Sequence, residues 1–146
     1  MRILVINGPN LNWLGKRDPD IYGNFSLADI ETKMSQRTEE LSTDLSFFQS
    51  NHEGAIIDFL QEHSGSSNAI IINPGALTHY GLSLRDALAD TNLPILEVHL
   101  SNIYSREEWR HSSVIAPIAI GQIGGLGWRG YIAALEFLID TLNTGG

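Results

Sequence analysis

Three stretches of this chain carry side chains able to move protons. In Glu97-Val98-His99 a carboxylate and an imidazole alternate. Alternate residues of a strand share a face, so the two side chains meet. A carboxylate beside an imidazole fixes its tautomer and favours the charged ring, which suits a general acid. Residues 7–24 form a long Gly- and Pro-containing segment with Asn10, Asn12, Arg17 and Tyr22. A guanidinium near a phenol favours the phenolate, making Tyr22 a candidate general base; the alternative is an exposed loop with a packed tyrosine. The third stretch, Asn73-Pro74-Gly75-Ala76 followed by His79, offers an amide side chain, backbone N–H groups near Ala76 and a ring to a ligand. Asn-Pro-Gly also makes an ordinary turn, and His79 taken alone reads as a capping or packing residue. Beyond His99, the backbone at Ser101 and Asn102 is placed to hold a carboxylate. Arg106 and Arg110 sit in an otherwise acidic chain where an anionic substrate would need them, although for Arg106, Glu107 and Glu108 a solvated charged surface is the favoured reading.

The elements that position these groups follow from hydrophobic periodicity. Residues 3–6, 69–72 and 95–98 are short β-branched runs bounded by Asn, Gly and Pro, as expected of strands buried on both faces. Residues 45–49 and 115–122 are weaker strand candidates. Helical spacing appears in Leu27, Ile30, Met34 and Leu41; in Ile56, Ile57 and Leu60; in Leu84, Leu88 and Thr91; and in Tyr131, Leu135, Leu138 and Leu142. Ser26 with Asp29, and Ser50 with Glu53, have capping-box spacing. Strand and helix alternate, which predicts an α/β fold: a five-stranded parallel sheet of flavodoxin-like order 2-1-3-4-5 in a three-layer sandwich, within a single domain over residues 1–146. Ligands in such folds bind beyond the strand C-termini, where all three stretches fall. The first of them, about residues 10–25, has the composition of a mobile lid.

Composition narrows the chemistry. A formal charge of −8 argues against nucleic acid or an anionic membrane as partner. The absence of cysteine excludes a disulfide framework, a thiolate nucleophile and a Cys-based zinc site. No histidine pair has metal-ligand spacing with a supporting carboxylate, so no metal is expected. Lysine occurs only at 16 and 33, which disfavours a Schiff-base mechanism. Gly125-Leu126-Gly127-Trp128-Arg129-Gly130 matches a dinucleotide fingerprint, but the remaining residues read as one helix without the required further strand and acid. Tight strand-to-helix packing explains those glycines better, and no organic cofactor is expected. The N-terminal apolar run is too short for a signal peptide, giving a cytoplasmic expectation.

Several blocks resemble one family: Val5-Ile6-Asn7-Gly8-Pro9-Asn10-Leu11-Asn12, Leu14-Gly15-Lys16-Arg17-Asp18-Pro19, Ile21-Tyr22-Gly23, Gln49-Ser50-Asn51-His52-Glu53-Gly54, Ile71-Ile72-Asn73-Pro74-Gly75-Ala76, Leu84-Arg85-Asp86-Ala87 and Glu97-Val98-His99-Leu100-Ser101-Asn102. In this order, and continuing through Arg106-Glu107, Arg110-His111-Ser112 and Gly130-Tyr131, they are similar to type II 3-dehydroquinate dehydratase. The resemblance implies a flavodoxin-like fold and reversible anti elimination of water from 3-dehydroquinate through an enolate, with neither metal nor imine. It further implies Tyr22 as base assisted by Arg17, and His99 as acid oriented by Asn10 and Glu97. Asn73, His79 and Arg110 would hold ring hydroxyls, while Ala76, Leu100 and Ser101 would complete the substrate site. Asp86 would reach a neighbouring subunit's site in a homododecamer built from trimers. A flavodoxin-like binding or signalling module is the alternative class.

Overall fold

The computed structural model describes residues 1–16 and 18–145. Strand β1 (Arg2–Asn7) lies between β2 (Asp44–Gln49) and β3 (Ala69–Asn73), and the sheet continues through β4 (Ile95–His99) to β5 (Gly121–Gly124). All pairings are parallel and the order is 2-1-3-4-5. This is the expected architecture, and its cause is visible in β1, where four consecutive apolar residues, Ile3 to Ile6, are fully buried. Alternate residues of that run feed opposite cores. Ile3 and Val5 pack with α2 (Leu27–Thr38) and α5 (Arg129–Thr144) through Ile30, Met34, Ala134 and Leu138. Leu4 and Ile6 pack with α3 (Glu53–His63) and α4 (Leu82–Asp90) through Ile56, Leu60, Leu84 and Leu88. A strand covered on both faces has no polar side to display, which is why it reads as a continuous apolar run.

Three local expectations are corrected. Residues 115–120 do not extend β5: Ala116–Ile118 is a 3₁₀ turn containing Pro117, which has no N–H for a sheet ladder, and pairing begins at Gly121. The capping box at Ser26 and Asp29 is present with both reciprocal bonds. The one at Ser50 and Glu53 is not, because α3 begins at Glu53 itself, one residue after the cap rather than three. Glu53 Oε2 instead accepts from the N–H of Leu84, tying α3 to the first turn of α4. The first loop also holds two short turns, a 3₁₀ turn at Leu11–Trp13 and α1 (Pro19–Tyr22). Asp18 caps α1 and Pro19 opens it, a helix start that the loop composition concealed.

The exits of β1 and β3 run against each other. Gly8 N–H donates to the Asn73 carbonyl at 2.8 Å, and a Cβ at Gly8 would stand 2.3 Å from the Pro74 carbonyl oxygen. At Gly75, where φ is +61°, a Cβ would stand 2.9 Å from the Pro9 carbonyl oxygen. Gly8→Ala must therefore push the two exits apart. Urea unfolding is expected to show a loss of about 1–3 kcal/mol, and an unchanged midpoint would contradict this packing.

Candidate active site

Side chains from the C-terminal ends of β1, β3 and β4 converge. Glu97 and His99 share the face of β4 opposite Leu96 and Val98, which pack in the α2/α5 core. Glu97 is fully buried and His99 nearly so. The His99 Nε2–H donates to Glu97 Oε2 at 2.5 Å. The same carboxylate accepts from the hydroxyls of Thr78 at 2.5 Å and Ser113 at 2.8 Å. Burial pushes the Glu97 carboxyl up, but the bonds from His99 and Thr78, the His99 charge and the bond from Ser113 outweigh it. The group therefore titrates below the ordinary carboxylate range and is anionic at neutral pH. With Nε2 committed to Glu97, the other ring nitrogen, Nδ1, is the one left for chemistry.

His99 lines a cavity of about 170 Å³. The first loop contributes Asn10 and Tyr22, the β3 exit Asn73, Ala76 and His79, and the segment after β4 Leu100, Ser101, Arg106 and Arg110. A larger, more open hollow of about 800 Å³ adjoins it through Tyr22, Leu100, Ser101 and Arg106, between the 19–25 segment and the 125–129 turn. His99 does not line that hollow, so the proton-transfer chemistry belongs to the smaller cavity.

Arg106 is the clearest correction. Sequence reading placed it on the solvated surface with Glu107 and Glu108; it is instead half-buried, with Nη2 donating to the Tyr22 hydroxyl at 3.0 Å and Nη1 to Ser101 Oγ at 3.3 Å. Its guanidinium carbon lies 5.2 Å from the Tyr22 ring centre. The 3₁₀ turn at Ile103–Ser105 folds the chain back over the strand ends and delivers it there, and His111 Nε2 donates to the Arg106 carbonyl. A signal was available, since Arg106 lies in a strand-end loop of a chain poor in cations. Arg17 lies outside the described residues. Glu107 and Glu108 are exposed, as read.

The remaining candidates are placed as follows. The Asn73 amide donates to the Tyr131 hydroxyl at 3.0 Å and accepts from the Gly75 N–H at 3.1 Å, which fixes its orientation at the cavity wall. Tyr131 is fully buried; burial pushes its phenol far up, offset only in part by the Asn73 bond, so it stays protonated and donates to Asn7 Oδ1 at 2.6 Å. Sequence reading gave Tyr131 a place in the helix pattern and in the last of the resembling blocks but no role for its hydroxyl, because its partners on two strands carry no local signal. The His79 Nδ1–H donates to the Ser112 carbonyl at 2.7 Å, and the ring packs edge-on against Trp109. It packs, therefore, and still lines the cavity. Arg110 bonds Glu107 through Nε at 3.0 Å and stacks on Trp109. The Asn10 backbone N–H is held by Asn51 Oδ1 at 2.9 Å, whereas the His99 ring bond goes to Glu97. Asp86 is exposed on α4 and does not line this cavity.

The Gly125 and Gly127 N–H groups donate to the Ser101 and Leu100 carbonyls at 3.0 Å, bracing the loop beside His99. Gly130 allows the start of α5 to approach Ile123 and Val98, the packing role expected of this motif. Among the described residues, no three His, Cys, Asp or Glu side chains are grouped to hold a metal ion, and no helix is long and apolar enough to cross a membrane.

The family model described as "Dehydroquinase class II" matches residues 1–139. A protein named 3-dehydroquinate dehydratase from Roseiflexus castenholzii is 59% identical over 99% of this chain and 92% of its own length. One of the same name from Bacillus subtilis is 53% identical over 94% of this chain and 93% of its own. Among solved structures, a type II dehydroquinase from Butyrivibrio crossotus superposes with a TM-score of 0.92 at 48% identity, covering 94% of this chain and 97% of that one. With fold, strand order and sequence in agreement over nearly the whole length, the chain belongs to the class II dehydroquinase family.

Proposed function

We propose that this chain is a 3-dehydroquinate dehydratase, a hydro-lyase that eliminates water from 3-dehydroquinate to give 3-dehydroshikimate through an enolate. The observation that carries the reading is the meeting, in one cavity, of a phenol oxygen held by a guanidinium with an imidazole held by a buried carboxylate. Tyr22, as phenolate, removes the proton beside the ketone. Arg106 sets positive charge against the phenol oxygen that carries the developing charge, and Arg17 assists from the same loop. The electron pair of the C–H bond passes into the enolate. His99 then protonates the departing hydroxyl, oriented by Glu97 and assisted by Asn10.

Asn73, His79 and Arg110 bind ring hydroxyls, backbone and side-chain donors at Leu100 and Ser101 take the substrate carboxylate, and the backbone near Ala76 faces the substrate. The fold acts as a single domain in which residues 10–25 form a lid. Asp86, on the outer face of α4, completes the site of a neighbouring copy in a dodecamer of trimers, and the enzyme works in the cytoplasm. Light scattering should then give about twelve times the mass of one chain; a monomer active at high dilution would contradict the role of Asp86.

The direct test is to add 3-dehydroquinate and follow the ultraviolet absorbance of the conjugated enone product, with borohydride in a parallel sample. Absorbance should rise without the reagent, and enzyme treated with borohydride and substrate, then freed of both and assayed afresh, should keep its activity; inactivation would reveal an imine and contradict the mechanism. Tyr22→Phe and His99→Ala are each expected to fold and to lose at least about 100-fold in kcat, as general acid–base groups do; near-normal turnover in either would remove it from its role. Arg106→Lys, which replaces a planar fork with a point charge, is expected to lose about 10-fold or more in kcat by the same assay.

A further inference from the structure

The hydroxyls of Thr78 and Ser113 have no part in the reaction as described, yet their bonding leaves them no freedom. Ser113 Oγ accepts from the N–H groups of Ile115 at 3.1 Å and Ala116 at 2.9 Å, which occupies both of its lone pairs. Its own proton is then its only remaining bond, and that proton faces Glu97, 2.8 Å from Oε1 and 3.0 Å from Oε2. Thr78 Oγ1 stands 2.9 Å from Ser113 Oγ and 2.5 Å from Glu97 Oε2. Ser113 can accept no third proton and has none to spare, so the Thr78 proton also goes to Glu97. A third donor, the His99 Nε2–H, meets the same oxygen. Each of these three bonds is stronger to the charged carboxylate than to the acid, so together they favour Glu97 as an anion.

Building on the dehydratase reading, we infer that Thr78 and Ser113 are positioning residues for the acid, keeping Glu97 an acceptor only and so reserving Nδ1 of His99 for the proton given to the leaving hydroxyl. The step balances as follows. The proton moves from Nδ1 to the departing oxygen as the C–O bond breaks and its electron pair leaves with that oxygen as water. The enolate pair closes the new C=C bond. His99 is left neutral with Nε2–H in place, and the proton taken by Tyr22 is restored to Nδ1 through solvent. The geometry is braced from outside: the Val114 N–H donates to the Thr78 carbonyl at 2.7 Å, strapping the 113–116 segment to the turn that carries Thr78.

This role predicts a partition that general damage to the site would not produce. Loss of a hydroxyl on Glu97 slows departure of water but leaves proton removal by Tyr22 intact, so the enolate returns to substrate more often. The test follows, by proton NMR in D₂O, exchange of the hydrogen beside the ketone against dehydration, for wild type, Thr78→Val, Thr78→Ser and Ser113→Ala. Thr78→Val is expected to lose about 10- to 100-fold in kcat, with KM changed by no more than about threefold and the ratio of exchange to turnover raised by a similar factor to the loss in kcat. Thr78→Ser, which restores the hydroxyl, should return both to near wild type. Because Thr78 is fully buried, the half-buried Ser113→Ala carries the same expectation should the valine variant not fold. An unchanged exchange ratio in a folded, slowed variant, or a serine variant as impaired as the valine, would overturn the inference. A wild-type chain that neither exchanges nor dehydrates would instead overturn the dehydratase reading beneath it.

Discussion

A fully buried carboxylate at the end of β4 is the constraint around which the rest of the site is arranged. An isolated ionised group in a protein interior is strongly disfavoured and is kept only when paired and hydrogen-bonded. Glu97 meets that requirement through three donors from three separate segments: His99 from its own strand, Thr78 from the turn after β3, and Ser113 from the segment before β5. Satisfying one charge thus fixes where the two flanking loops must run. It also turns the His99 ring so that one nitrogen is tied inward and the other is available to the cavity. Replacing Glu97 by an apolar residue would relieve the burial and destroy the orientation.

The parallel sheet supplies the complementary constraint. Because β1, β3 and β4 run the same way and pair in register, their last residues, Asn7, Asn73 and His99, reach one edge together. Tyr131 arrives from α5 and bridges the two asparagines, so the amide that faces the cavity is held from within the core. Glycines at 8 and 75 allow the exits of β1 and β3 to cross closely enough for this. The first loop then brings Tyr22 over the strand ends, where Arg106, itself bonded to Ser101 Oγ, donates to its hydroxyl.

The parts of this arrangement visible in the sequence are those governed by short-range rules. Burial on both faces writes strands as continuous apolar runs, and the alternation of Glu97 and His99 states their shared face directly. The Ser26 cap is equally local. What stayed hidden depends on contacts between distant segments. Arg106 reads as one member of a charged cluster until the turn at 103–105 folds it back onto Tyr22, 84 residues earlier. Thr78, Ser113 and Tyr131 are ordinary residues in sequence, and only the meeting of the β3 and β4 exits with the loop before β5 reveals what their hydroxyls bond. The shortened β5 is an intermediate case, because Pro117 was present as a warning that apolar content overrode.

The central claim is that Glu97 holds the proton on Nε2 of His99 and leaves Nδ1 to serve the leaving hydroxyl. Nitrogen-15 NMR of the ring in protein labelled at histidine reads this directly. The account predicts that in the neutral ring the proton sits on Nε2 and Nδ1 is bare. A neutral ring carrying its proton on Nδ1, with Nε2 bare toward Glu97, would contradict it.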